Sequence, residues 1–293
     1  MQEKQWTAKT LGGCTIEGTY IAPKQGMPTI LIISGSGPTD RNGNNPQMTN
    51  NSLKMLAHSL AAEGIGSLRY DKRQIGKSLK GCQMLESEMR IDTLVDDAAL
   101  LIEGLRRSGT EKIIVLGHSQ GALVGLLAAQ KAYIDGFISL AGQGYRADKV
   151  IAQQLRQQIQ NPTLLEKAIS SLDTLASGDT LISPNPMLYQ LFRPSVQPFM
   201  ISWFKYDPAE LISDLIVPSL VIGGSEDLQV DTEQTKSLAS AIDKEAIIIT
   251  DMNHVLKKVI ESDMNDNISA YSDPERQLAP GLVHTITKFA QSR

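Results

Sequence analysis

Basic residues are not in excess in this chain, cysteine is scarce and long apolar runs are missing. The 28 lysines and arginines are outnumbered by 32 acids, for a formal net charge of -4. A general nucleic-acid binder displaces counterions from phosphates with a basic face, so no nucleic-acid partner is expected. The two cysteines, Cys14 and Cys82, lack the spacing of a zinc or redox pair. The expectation is two reduced thiols in a cytoplasmic protein, with a single disulfide as the alternative. No apolar stretch reaches the roughly 18 residues of a membrane-spanning helix. The opening residues Met1-Gln2-Glu3-Lys4-Gln5 carry no apolar run of the secretory kind. Neither a membrane partner nor a metal site is therefore expected. Aromatics are only 5%, yet hydrophobic residues reach 41%, enough material for a sizeable core.

What the chain does have is alternation of strands and helices. Thr29-Ile30-Leu31-Ile32-Ile33 is a short β-branched run stopped by Ser34-Gly35-Ser36-Gly37-Pro38, which predicts a buried strand and a tight loop. Further strands are expected at 66–70, 113–116, 137–140, 220–222 and 246–249. Between them lie amphipathic stretches such as Leu94, Val95, Ala98, Leu101, Ile102 and Leu105 at helical spacing. Strands alternating with helices imply a mostly parallel sheet with helices on both faces. Residues 6–21 predict an antiparallel edge hairpin. From 148 to 206 the pattern is helical, without a convincing strand. The expected organisation is a core of residues 1–147 and 207–293, with 148–206 inserted as a helical cap.

Gly117-His118-Ser119-Gln120-Gly121 matches G-x-S-x-G, lying between an apolar strand and a helix of small residues. That setting is a nucleophile elbow, where the serine sits in a strained turn and its neighbours must be small. A serine hydroxyl needs a base. Of the four histidines, His58 and His284 lie off the apolar faces of their helices, and a packing role is expected for His118. His254 follows a strand, on the sheet edge where loops gather, and is the expected base. The partner carboxylate should lie in Gly223-Gly224-Ser225-Glu226-Asp227. Asp227 is preferred, Glu226 is the runner-up, and Asp251 is a weaker candidate. Oxyanion donors are expected from the backbone N–H groups of Gln120 and Ser36.

Four segments together resemble a known family. Ile33 to Gly43, Arg69-Tyr70-Asp71-Lys72-Arg73, Gly117 to Gly121 and Gly224-Ser225-Glu226-Asp227 look like the esterase and serine-aminopeptidase-like branch of the α/β-hydrolase superfamily. The resemblance implies an α/β-hydrolase fold and a carboxylesterase-type activity on short acyl chains, without cofactor. Two departures stand out. Ser34 precedes Gly35 where many such enzymes have His-Gly, and Gln74 stands where glycine is usual after Asp-Lys-Arg.

The basic stretch Arg69, Lys72, Arg73, Lys77 and Lys80 is expected to be a solvated or internally paired loop, with steering of an anionic substrate as its functional alternative. Asp40 and Arg41 would shape the site or pair with it. A small-molecule ester is the expected partner. Thioester and amide cleavage, including aminopeptidase action, share the same chemistry, and a non-catalytic binding protein is the competing class. Assembly into a homo-oligomer is compatible with this reading and not specified by it.

Overall fold

A computed structural model describes residues 2–10, 12–82 and 84–293 of the chain. The β-branched runs form strands because both of their faces are covered. β3 (Thr29–Ile33) and β5 (Ile113–His118) are buried along their whole length. They join β1 (Glu3–Lys9), β2 (Thr15–Ile21), β4 (Gly66–Tyr70), β6 (Gly136–Leu140), β7 (Ser219–Gly224) and β8 (Ile247–Ile249) in one sheet. The strand order is β1-β2-β4-β3-β5-β6-β7-β8. β1 and β2 form the antiparallel hairpin at one edge, and β2 meets β4 antiparallel. Every later pairing is parallel.

The helices follow in chain order as α1 (Ser52–Ala62), α2 (Ile91–Arg107), α3 (Gln120–Ala129), α4 (Ala147–Gln158), α5 (Pro162–Ala176), α6 (Tyr189–Phe192), α7 (Gln197–Trp203), α8 (Pro208–Ser213), α9 (Thr232–Ser240), α10 (Met264–Ser269) and α11 (Leu282–Gln291). Side chains of a strand alternate between faces. Leu31, Ile33, Ile113 and Val115 therefore share a core with α2 and α3. Ile30, Ile32, Ile114 and Leu116 share the opposite one with α1 and α11. Each such fully buried aliphatic side chain contributes about 1.5–3 kcal/mol.

Residues 148–206 contain α4 to α7 and no strand among the described residues. Asn161 starts α5 by accepting a hydrogen bond from Leu164 N at 3.0 Å, with Pro162 in the first turn. Leu172 and Leu175 of α5 and Phe192 and Met200 of α6 and α7 are buried in the same core as α2 and α3.

Cys14 and Cys82 are joined in a disulfide, 68 residues apart in sequence. This corrects the expectation of two reduced thiols and removes that support for a cytoplasmic location, since disulfides persist in oxidising compartments. Cys82 follows a short helical turn at residues 76–81 that lies against β2, a contact no spacing rule reveals. Among the described residues, no helix is long and apolar enough to cross a membrane.

Candidate active site

β5 ends at His118 and α3 begins at Gln120. Between them Ser119 adopts φ 55 and ψ -125, a region that L side chains rarely occupy. Such a residue carries strain of about 1–3 kcal/mol and persists only where the surroundings hold it. Here Ser119 N donates to Leu140 O at 3.0 Å, and Ser119 O accepts from Ala122 N at 2.9 Å. A Cβ on Gly117 would stand 2.2 Å from Gly121 O, and one on Gly121 would stand 2.3 Å from Ile33 O. Both flanking glycines are therefore required for strand and helix to approach this closely.

The loops after β7 and β8 bring a carboxylate and an imidazole together. His254 Nδ1 donates to Asp227 Oδ1 at 3.0 Å and to Oδ2 at 2.8 Å. The side chain of Asp227 is fully buried. Its Oδ1 also accepts from Gln229 N at 2.8 Å and Val230 N at 2.9 Å, which fixes the carboxylate's orientation. With Nδ1 occupied, Nε2 is the nitrogen left free on His254. Among the described residues no hydrogen bond joins that nitrogen to Ser119 Oγ; such bonds often tighten only when substrate binds. Glu226 turns elsewhere, accepting from Ser225 Oγ at 3.2 Å and Ser262 N at 3.0 Å. Asp251 lies at φ 59, with its N–H donating to Ser225 Oγ.

His118 does more than pack. Its Nε2–H donates to His254 O at 2.8 Å, and the two rings lie 5.0 Å apart. Burial, then the neighbouring His254, pushes His118 down to about 4, so its ring is neutral near pH 7. The neighbour of the elbow serine thus holds the backbone of the loop that carries His254. Of the other two histidines, His284 is exposed, while His58 pairs with Glu3 at 2.8 Å.

The loop after β3 closes the arrangement. A Cβ on Gly35 would stand 3.2 Å from Ser119 Cβ, so this loop abuts the elbow. Ser36 and Gln120 line one cavity of about 540 Å³. Among the described residues, neither of their backbone N–H groups has a hydrogen-bond acceptor. The cavity's apolar wall includes Met89, Leu94, Leu191, Phe199, Met200 and Trp203. Four of these six come from residues 148–206, the part of the chain where sequence could not say which side chains face a ligand. Glu86 also lines the cavity and is engaged by Arg193 and Ser195.

The basic stretch is paired inside rather than presented to solvent over most of its length. Arg69 is buried against Glu3 and Asn42, and Arg73 grips Asp97 with two bonds of 2.7 Å. Arg41 pairs with Asp71 at 2.7 Å, and Asp40 Oδ1 caps its own loop by accepting from Asn42 N and Asn44 N. Lys77 and Lys80 are exposed. Lys72 is buried, and sequence gave no sign of it. Gln74 has φ 61, the left-handed conformation that makes glycine the usual residue there. No group of three or more His, Cys, Asp or Glu side chains among the described residues could hold a metal ion.

A model of the alpha/beta hydrolase family matches residues 30–260. Esterase EstD of Thermotoga maritima is 25% identical over 236 residues, which cover 78% of this chain. The chain spans only 55% of that relative's length. Among solved structures, the esterase Pf2001 of Pyrococcus furiosus superposes with a TM-score of 0.60 at 17% identity, over 99% of this chain and 92% of that one. Est1E of Butyrivibrio proteoclasticus does so with a TM-score of 0.57 at 14% identity, over 98% and 96%. These superpositions concern the fold. The family match across most of the sequence, which includes the strand–serine–helix turn, places this chain in the alpha/beta hydrolase family.

Proposed function

We propose that the protein is a serine carboxylesterase acting on esters of small acyl groups through an acyl-enzyme on Ser119. The observation that carries this reading is the set of groups on the four loops that follow β3, β5, β7 and β8. They are the strained Ser119 turn, the buried Asp227–His254 pair, and the N–H groups of Ser36 and Gln120, unpartnered among the described residues, beside the cavity. His254 accepts the Ser119 proton through Nε2 as Oγ attacks the ester carbonyl. Asp227 holds the imidazole in the tautomer that leaves Nε2 free and stabilises its cation. The two backbone N–H groups receive the oxyanion. His254 then protonates the leaving alcohol, and later activates the water that releases the acid. Residues 148–206 act as a cap whose apolar side chains receive the acyl group. The relative EstD, an esterase, agrees with this chemistry.

Thioesters would follow the same path. An aminopeptidase would need a free acid to hold the substrate's amine. Glu86, the one carboxylate lining the cavity, is already taken by Arg193. Hydrolysis of p-nitrophenyl esters from acetyl to dodecanoyl, compared between wild type and Ser119→Ala, tests the proposal. Wild-type turnover on the shorter chains should fall by at least about 10³-fold in the variant. Equal rates in the two proteins on every ester would remove Ser119 from the reaction.

A further inference from the structure

Lys72 is a buried cation without a carboxylate. It is only 5% exposed, and no salt bridge joins it to an acid among the described residues. The neighbouring acids are claimed elsewhere, Asp71 by Arg41, Asp97 by Arg73 and Glu86 by Arg193. Its ammonium instead donates to two backbone carbonyls of the loop after β3, Gly35 O and, at 2.8 Å, Gly37 O. When protonated, the amine holds this glycine-rich loop through charge-assisted bonds, which are shorter and stronger than neutral ones. Burial disfavours its charged form and pushes Lys72 down to about 7. An amine kept in such a place against its own desolvation calls for a reason.

Peptide geometry supplies it. The C=O of Gly35 and the N–H of Ser36 belong to one planar trans unit, so they point in opposite directions. Gripping the Gly35 carbonyl therefore sets the direction of the Ser36 N–H. That N–H lies in the loop that abuts Ser119, and it has no other partner among the described residues. Thr39 also ties the loop, its Oγ1 donating to Ser36 O at 2.8 Å. But the Ser36 carbonyl belongs to the next peptide unit, so Thr39 anchors the loop without aiming this N–H.

We propose that Lys72 is the positioning residue of the oxyanion site: by holding Gly35 O and Gly37 O it aims the Ser36 N–H at the tetrahedral oxyanion. Its side chain borders the cavity, but its ammonium is spent on the two carbonyls and acts through the loop. The inference rests on the Ser119 reading above.

The test compares wild type, Lys72→Met and Thr39→Val on one p-nitrophenyl ester. A trifluoromethyl ketone, whose unhydrated carbonyl is attacked by Ser119 Oγ to give a charged tetrahedral hemiketal while His254 takes the serine proton, serves as a second probe. Removing an oxyanion donor outright lowers kcat by about 10²–10³-fold, and here the donor is misdirected rather than deleted. Lys72→Met should lose about 10–100-fold in kcat with KM changed less than about threefold. Its affinity for the ketone should fall by the same factor as kcat/KM. Thr39→Val should stay within about threefold of wild type in both. The proposal is overturned if Lys72→Met keeps its ketone affinity, if its loss is confined to KM, or if Thr39→Val loses as much. Should Lys72→Met not fold by circular dichroism, Lys72→Leu, which also lacks a donor, carries the same comparison. Stoichiometric labelling by an organophosphate separates the two levels. An unlabelled wild type removes the serine reading itself, whereas a labelled wild type beside an unimpaired Lys72→Met removes only the role of Lys72.

Discussion

The loop edge of the sheet and the helices of residues 148–206 are built in different ways. At the edge, buried polar side chains are tied by directional bonds: Asp227 accepts from His254, Gln229 and Val230, and His118 ties its ring to the backbone of His254. These groups sit on or in the loops just after strands β5, β7 and β8. Residues 148–206 meet the cavity mostly through apolar, partly buried side chains such as Leu191 and Phe199, the Arg193 pair with Glu86 being their main polar tie. A directional network tolerates little displacement, whereas apolar walls tolerate changes of volume. The edge should therefore control the rate of the chemistry, and the helices should control which acyl group is accepted.

The largest expected effect lies at the edge. Asp227→Asn keeps the shape but lets His254 adopt the tautomer that blocks Nε2, and kcat should fall by about 10³–10⁴-fold with little change in KM. A fall confined to KM would place Asp227 in binding instead of orientation, and the contrast between the two regions would fail. Steady-state kinetics on a single ester decides it.

The disulfide comes next, because it anchors the segment leading to Glu86 and Met89 on the cavity wall. Replacing Cys14 and Cys82 together by serine opens a loop spanning 68 residues and should destabilise the protein by about 2–5 kcal/mol in urea unfolding. Kinetic constants at low temperature should hold if the edge is set by the sheet alone. Altered chain-length preference in the double variant would instead show that the wall depends on this anchor.

His118 offers an acid-side test of the edge. Its folded value of about 4 lies below the ordinary 6.5. Above 6.5 the ring is neutral in both states. Between 6.5 and 4 the unfolded chain takes up a proton that the folded protein refuses, so stability is lost as pH falls through that window. Wild type should lose about 2–3 kcal/mol more than His118→Gln between those limits in chemical denaturation. Parallel losses in the two proteins would mean that His118 is not held neutral.

The smallest expected effect belongs to the helices. Phe199→Ala enlarges the cavity wall and should move the preferred acyl chain toward longer esters, by about tenfold in relative kcat/KM, without abolishing turnover. A uniform loss on every ester would assign Phe199 to the chemistry and erase the distinction between wall and edge.

Much of the edge was legible because its signals are local. The β-branched runs and the glycines around Ser119 lie within short windows of sequence. Composition and periodicity determined the parallel sheet, its flanking helices and the elbow. Only the folded chain could separate Asp227 from Glu226, since adjacent acids differ solely in which way the loop turns them. The same holds for His118, read from sequence as packing, and for Cys14 with Cys82. Lys72 was read only as one member of a basic stretch, solvated or internally paired, because its two carbonyl partners lie far off in sequence, at residues 35 and 37. Local pattern determines which strands and turns form, through propensity and burial that neighbouring residues share. Partnership between groups far apart in the chain is decided by tertiary structure, because hydrogen bonds and disulfides depend on distance and direction in space.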